Sequence, residues 1–417
     1  MQPDTPLDPA AQRRFRRAQW RMLLATMFCY LFYYTGRQNW GWVVKSLRDD
    51  LGLDTVMTGT IAGAMLAAYG IGQFVNGNLG DKYGGRTMLT LGALGSTALS
   101  WVTSFGNSFW TLLVPWTANG YVQSLGWAPG SRLLSNWWGH SERAKAFGFY
   151  MFAAAFSSVL TFALSIAILQ YFDWRWVFRL PVLLLFGAGI AYYLVVRDKP
   201  EDLGFPPVDD DGPKPIAVHS DETTLQRYAQ AFTNWRFLCA CVAIGFQSMA
   251  RYGLITWVPL YYLGEDWRQN PMSVWITLSL PLGMALGALS GGYLSDRVFH
   301  SNRTRPIALL LSLGAAVSLA MYFVPREHNM LGIGLLFLAG FFVYGPQSSF
   351  WALCPDLLGT KRAGTGVGVM DAAAYAFASV QGPLFGAIIA LQGEAAIFFA
   401  TAVCCALGVC TILVVKK

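Results

Sequence analysis

The chain has 417 residues, of which 54% are hydrophobic and 13% charged, with a formal net charge of +7. A soluble protein carries about 25% charged residues, and apolar runs of about 20 residues recur here from end to end, so the chain reads as a polytopic helical membrane protein. The positive charge is therefore no pointer to nucleic acid: the basic residues cluster in short loops, where they act as orientation signals. The seven cysteines lie scattered in apolar segments without metal-ligand spacing, and adjacent Cys404 and Cys405 read as packing residues.

In chain order, residues 1–18, ending in RRFRRAQW, read as a short basic tail along a membrane surface. No cleavable signal peptide is expected, because the first apolar run continues as a full span. Six spans are predicted at about 19–47, 56–80, 87–104, 109–138, 146–169 and 174–196. Residues 197–233, rich in Pro, Asp and Lys, read as a linker with one surface helix near 221–231. Six more follow at about 236–263, 272–295, 305–324, 330–355, 364–391 and 395–414. The expected fold is all-α, with twelve transmembrane helices in two six-helix bundles, 1–196 and 234–417, joined by the linker. If the termini and linker share one side, that side holds about 21 of the 30 lysines and arginines. Both termini are then expected to be cytoplasmic.

The first span contains YLFYYTGRQNWGW (30–42), with Arg37 well inside the apolar run. An arginine near mid-membrane costs at least about 2.5–3.5 kcal/mol and so faces a cavity or a partner. Tyr30, Tyr33 and Tyr34 precede it by seven, four and three residues, a spacing that predicts three hydroxyls on the guanidinium's face. Alone, the stretch leaves two readings open: an arginine held by a carboxylate, with tyrosines at the membrane boundary, or an anion site.

An internal repeat weighs toward the second. GNLGDKYGGR (77–86) follows span two and GYLSDRVFHSNR (292–303) follows span eight; SERAKAFGFYM (141–151) matches TKRAGTGVGVM (360–370). Arg37 precedes Asp81 by 44 residues, and Arg251 precedes Asp296 by 45. Two six-span halves related by an axis along the membrane normal form the major facilitator arrangement, in which the first helix of each half faces a central cavity. Arg37 and Arg251 should then converge, and no carboxylate stands within a helical turn of Arg251 in FQSMARYGLITW. Arginine's planar fork suits two-point binding of phosphate or carboxylate. The loop charges Asp81, Arg86, Arg132, Glu142, Asp296, Arg303 and Asp356 read as gate and packing residues at helix ends.

Beyond the broad loop motif, YYTGRQNW (33–40), LGWAPGSRLLSNWW (125–138), RDKPEDLGFPP (197–207) and ARYGLITWVPLYYL (250–263) are more specific. With GYLSDRVFHSNR, they resemble the organophosphate:phosphate antiporter family, which includes glycerol-3-phosphate and hexose-phosphate transporters and a hexose-phosphate sensor. The similarity runs from about residue 20 to 391. It implies that Arg37 and Arg251 hold a substrate phosphate, with Tyr30, Tyr344 and Tyr375 near it; Tyr34, on the arginine's face, joins the candidate set. Two positions depart from the pattern by losing a cation: Gln73 stands where well-known members have lysine, and Ala154 where they have histidine. Asp371 adds a carboxylate, on a face shared with Tyr375 one turn later. A phosphate ester with a cationic end, or a less charged anion than glycerol-3-phosphate, would then fit better than a sugar diphosphate; alternatively Asp371 pairs with an arginine or carries a proton when the site is empty.

The expected function is exchange of a small phosphate ester or phosphonate for inorganic phosphate by alternating access, as a monomer in a bacterial inner membrane. No cofactor, metal or nucleic acid is expected, and no GxxxxGK[ST] stretch is present for nucleotide. Two alternatives stay open: a proton-coupled transporter of another organic anion or zwitterion using Asp371, and a non-transporting sensor of sugar phosphate. Only four histidines occur (His140, His219, His300 and His328), all at loops or loop edges, with no HExxH or Ser/His arrangement, so no enzyme is expected.

Overall fold

A computed structural model of the chain describes residues 9–138, 140–208, 224–263, 272–299, 302–358 and 363–415. All regular structure among them is helical. In chain order the first half holds α1 (Pro9–Tyr33), α2 (Trp40–Leu51), α3 (Thr55–Tyr83), α4 (Gly85–Ser104), α5 (Phe109–Gln123), α6 (Trp127–Trp137), α7 (His140–Tyr171) and α8 (Arg175–Val195). A short surface helix, α9 (Thr224–Thr233), leads into the second half. That half holds α10 (Trp235–Tyr262), α11 (Met272–Trp275), α12 (Ser279–Tyr293), α13 (Thr304–Phe323), α14 (Asn329–Tyr344), α15 (Gln347–Leu358), α16 (Ala363–Gln392) and α17 (Ala396–Val414).

Among the described residues these helices make twelve crossings, six per bundle. Among the described residues nine segments are individually long and apolar enough to span. The others are α1 with α2, α5 with α6, and α4. The first two are interrupted pairs. The third is rich in Ser and Thr, whose hydroxyls bond back onto their own helix, Thr90 to the Arg86 carbonyl and Thr97 to the Ala93 carbonyl. Such back-bonding satisfies a polar side chain where no water is available. Outward faces carry exposed large apolar side chains, for example Leu183, Phe186, Ile190 and Leu194 on α8, as expected where lipid is the solvent.

The basic stretch before the first span is not a separate surface tail from Pro9 onward. It forms the first turns of α1, unbroken to Tyr33. The segment contains no Gly, and it is anchored: Phe15 packs on Trp137 and Phe205, and Gln19 donates to the Trp137 carbonyl at 2.7 Å. Residues 1–8 lie outside the described set.

The bundles meet where α3 packs on α16, α2 on α10 and α7 on α12. The α3–α16 contact is a glycine zipper. A Cβ at Gly59 would strike the Gly382 carbonyl, one at Gly63 the Ser379 carbonyl, and one at Gly386 the Thr55 carbonyl. Backbones can approach this closely only where side chains are absent. Beyond the zipper, Arg48 of α2 and Glu394 after α16 form a partly exposed pair at 3.6 Å, beside a charged vestibule of about 610 Å³.

The first crossing is interrupted by a 3₁₀ turn at Tyr34–Gly36, after which Arg37 adopts φ −146°. Non-helical backbone at membrane depth persists only where protein satisfies its polar groups. Here Asn119 donates to the Gly36 carbonyl at 2.6 Å and Gln123 to the Tyr33 carbonyl at 3.0 Å, while Ser157 accepts from the Tyr34 N–H at 3.2 Å. Gly36 has no room for a side chain, since Ser96 and Gln123 occupy the Cβ position. Asn119→Leu should therefore leave a buried carbonyl unpaired and lower stability by about 1–3 kcal/mol, read as a fall in Tm of the purified protein.

Candidate substrate site

Arg37 emerges from the turn into the interface between bundles, and Arg251 enters from the unbroken α10. Both are buried, at 7% and 8% exposure. Arg37 stacks on two rings, Tyr34 at 4.1 Å and Tyr69 at 4.6 Å. Arg251 stacks on Tyr344 at 4.1 Å and Tyr252 at 4.9 Å. Tyr34 also lies within electrostatic range of both guanidiniums. Cation–π contacts hold a guanidinium in place without consuming its N–H donors. Nε and Nη1 of Arg37 and Nε of Arg251 remain unbonded. Among the described residues neither arginine is in an ion pair.

The opposite wall comes from α16. Tyr375 packs on Tyr69 with ring centroids 4.6 Å apart, and its hydroxyl accepts from the Tyr252 hydroxyl at 3.2 Å. Gly70 makes room for it: a Cβ there would lie 2.9 Å from the Tyr375 Cβ. One turn earlier stands Asp371, only partly buried and within electrostatic range of Arg37, Arg251 and Tyr69. Gln73, one turn beyond Tyr69 on α3, is partly buried with its Nε2 unbonded. Beside Arg37, both polar atoms of Gln38 are also buried and unbonded.

Two of the first span's tyrosines are placed differently from expectation. Tyr33 turns away: its hydroxyl donates to the Leu89 carbonyl at 2.7 Å inside the first bundle. Tyr33 and Arg37 do not share a face because the helix stops at Tyr33 and Arg37 lies beyond the 3₁₀ turn. Tyr30 sits in an aromatic layer behind Tyr34, against Tyr33, Tyr150 and Trp127. Tyr69 and Tyr252, which the sequence reading did not single out, carry the arginines instead. The available signals were the four-residue spacing of Tyr69 from Gln73 and the adjacency of Tyr252 to Arg251.

At the helix ends, Arg86 is held within its own bundle. Its Nε donates to the Tyr193 carbonyl at 2.7 Å, its guanidinium covers the Tyr193 ring, and its backbone N–H donates to Asp198. Burial pushes the Asp198 carboxyl above the usual carboxylate range, against the pull of the Arg86 and Gly85 N–H groups at the start of α4. Arg303 reaches Asp356 of α15 at 3.7 Å and donates to Ser295 at 2.8 Å. The side chains of Asp81, Arg132, Glu142 and Asp296 lie outside the described residues.

A model of the Major Facilitator Superfamily matches residues 26–383. The chain belongs to that superfamily. Membership places it among membrane transporters and not among enzymes. It is 26% identical over 415 residues to a Chlamydia pneumoniae protein named "Probable hexose phosphate transport protein", covering 95% of this chain and 91% of that one. It is also 26% identical over 381 residues to the "Glycerol-3-phosphate transporter" of Bacillus subtilis, with 88% and 84% covered. A crystal structure of a bacterial homolog of the human lysosomal transporter Spinster, inward-facing and unoccupied, matches with TM-score 0.74 at 15% identity, over 95% of this chain and 94% of that one. That likeness bears on the fold alone. The motif resemblance to organophosphate:phosphate antiporters thus agrees with sequence relatives that span nearly the whole superfamily domain.

Proposed function

We propose that this major facilitator protein exchanges a small organophosphate for inorganic phosphate by alternating access. It works as a monomer in a bacterial inner membrane with both termini cytoplasmic. The observation that carries the reading is the guanidinium pair: one arginine per bundle, both nine-tenths buried, stacked on tyrosines, with donors unused and no ion pair among the described residues. Two cations in a low-dielectric interior repel, and a phosphoryl group lying between them removes that penalty while accepting from both forks. The bundles then close around an occupied site more readily than around an empty one, which makes exchange the natural cycle. The names of the sugar-phosphate and glycerol-3-phosphate relatives support the same cargo class.

In proteoliposomes, phosphate loaded inside should drive uptake of labelled phosphate or phosphate ester from outside. Uptake driven by a pH gradient and indifferent to internal phosphate would overturn the exchange. Tyr34→Phe, which keeps the ring under Arg37 but removes a hydroxyl within electrostatic range of both guanidiniums, should weaken phosphate half-saturation by about tenfold, the scale of one charge-assisted hydrogen bond.

A further inference from the structure

Two guanidiniums converge on this site from the bundle interface, and Asp371, one turn before Tyr375 on α16, lies within electrostatic range of both without an ion pair to either among the described residues. If the site served only to bind an anion, a carboxylate there would repel the cargo. Its surroundings are those of a cation seat. Tyr375 lies one turn after Asp371, Tyr69 packs on Tyr375, and Tyr252 meets Tyr375 through its hydroxyl. Tyrosine faces beside a carboxylate suit an ammonium group, by cation–π attraction and charge pairing together.

Charge balance agrees. With Asp371 ionised, two guanidiniums and one carboxylate leave a single positive charge. A phosphate monoester carries about −1.5 to −2 near neutral pH, so a simple ester overshoots, whereas one bearing an ammonium comes close to neutralising the site. The two charged ends need only a short tether, because the Tyr69 ring that Arg37 covers at 4.6 Å is packed 4.6 Å from Tyr375.

Building on the phosphate-exchange reading, we propose that the organic substrate is zwitterionic: a phosphate ester or phosphonate whose phosphoryl group lies between Arg37 and Arg251. Its amine, on a short alkyl chain, lies against Asp371 among Tyr69, Tyr252 and Tyr375. Gln73, neutral and with an unbonded amide nitrogen, fits such a cargo, since a lysine there would repel the ammonium.

The test uses a matched pair, 2-aminoethyl phosphate and ethyl phosphate, which differ by the ammonium alone. Each competes against labelled phosphate in exchange, and each is assayed separately by thermal shift of the purified protein. The amino compound should compete and stabilise at about tenfold lower concentration than ethyl phosphate, the scale of one carboxylate–ammonium contact. The preference should persist in Asp371→Glu and fall toward unity in Asp371→Asn. Equal potency of the two esters in the wild type overturns the proposal, as does an undiminished preference in Asp371→Asn. If Asp371→Asn does not fold, the wild-type ratio and the Glu variant still decide. Absence of phosphate exchange with the thermal-shift preference intact would sink the exchange mechanism and leave the zwitterionic substrate standing.

Discussion

Arg37→Lys or Arg251→Lys should slow phosphate exchange by about a hundredfold or more, although each variant keeps its positive charge. Lysine presents a point charge on a flexible stem, whereas the guanidinium presents a planar fork that both stacks and donates in pairs. At Arg37 the fork lies over Tyr34 and Tyr69, and at Arg251 over Tyr344 and Tyr252. Losing one charged hydrogen bond to the phosphoryl group, together with the stacking that aims it, is worth about 3 kcal/mol, or two decades. The check is initial rates of labelled phosphate counterflow, with folding controlled by thermal unfolding. Wild-type rates in either variant would refute a two-arginine phosphate site. A pure charge role would instead leave the lysine variants nearly active and only neutral substitutions dead.

Gly382→Leu should have the next largest effect, by a different route. Its Cβ would collide with the Gly59 carbonyl of α3, and backbone cannot rotate aside as a side chain can. The contact joining α3 to α16 must then separate. Overpacking of this kind costs about 1–3 kcal/mol, enough to shift a two-state equilibrium by about one to two decades. Exchange should fall by about tenfold or more while binding of phosphate compounds, measured by thermal shift, survives. A Thr55→Cys reporter, placed at a position 4% exposed beside Gly386, should react faster with maleimide in the Gly382→Leu background. Unchanged labelling and unchanged exchange together would mean that this zipper is not part of the moving seal.

Much of this was readable one-dimensionally. The apolar runs predicted twelve crossings, and the observed helices follow them closely, down to α9 at Thr224–Thr233 against an expected 221–231. The 44- and 45-residue spacings in the repeat put Arg37 and Arg251 at equivalent depths, and the superfamily match bears out the fold. Elsewhere the linear reading failed for identifiable reasons. Tyr33 has the right spacing for Arg37's face on a continuous helix, but the helix is broken between them. The break depends on Asn119, Gln123 and Ser157, supplied by α5 and α7, and no local pattern around Tyr34 announces them. The repeat would also suggest the same break in α10, yet α10 runs unbroken through Arg251. Likewise Arg86, read as one of the gate and packing charges at helix ends, is held within its own bundle by Tyr193 and Asp198, which lie more than a hundred residues further along the chain.

By itself, then, the amino-acid order determined what the chain must do with lipid: which segments cross, how they divide into halves, and which charged side chains are costly enough to need a purpose. Those properties follow from transfer energies and residue spacing, which are local. Only tertiary structure decided that Tyr69 and Tyr252 share in carrying the guanidiniums, that Tyr30 lies behind Tyr34, and that Asp371 lies within electrostatic range of the pair without an ion pair to either. Side-chain direction at a helix break, and the company a charge keeps, depend on groups contributed by other helices, and those meet only when the bundles pack.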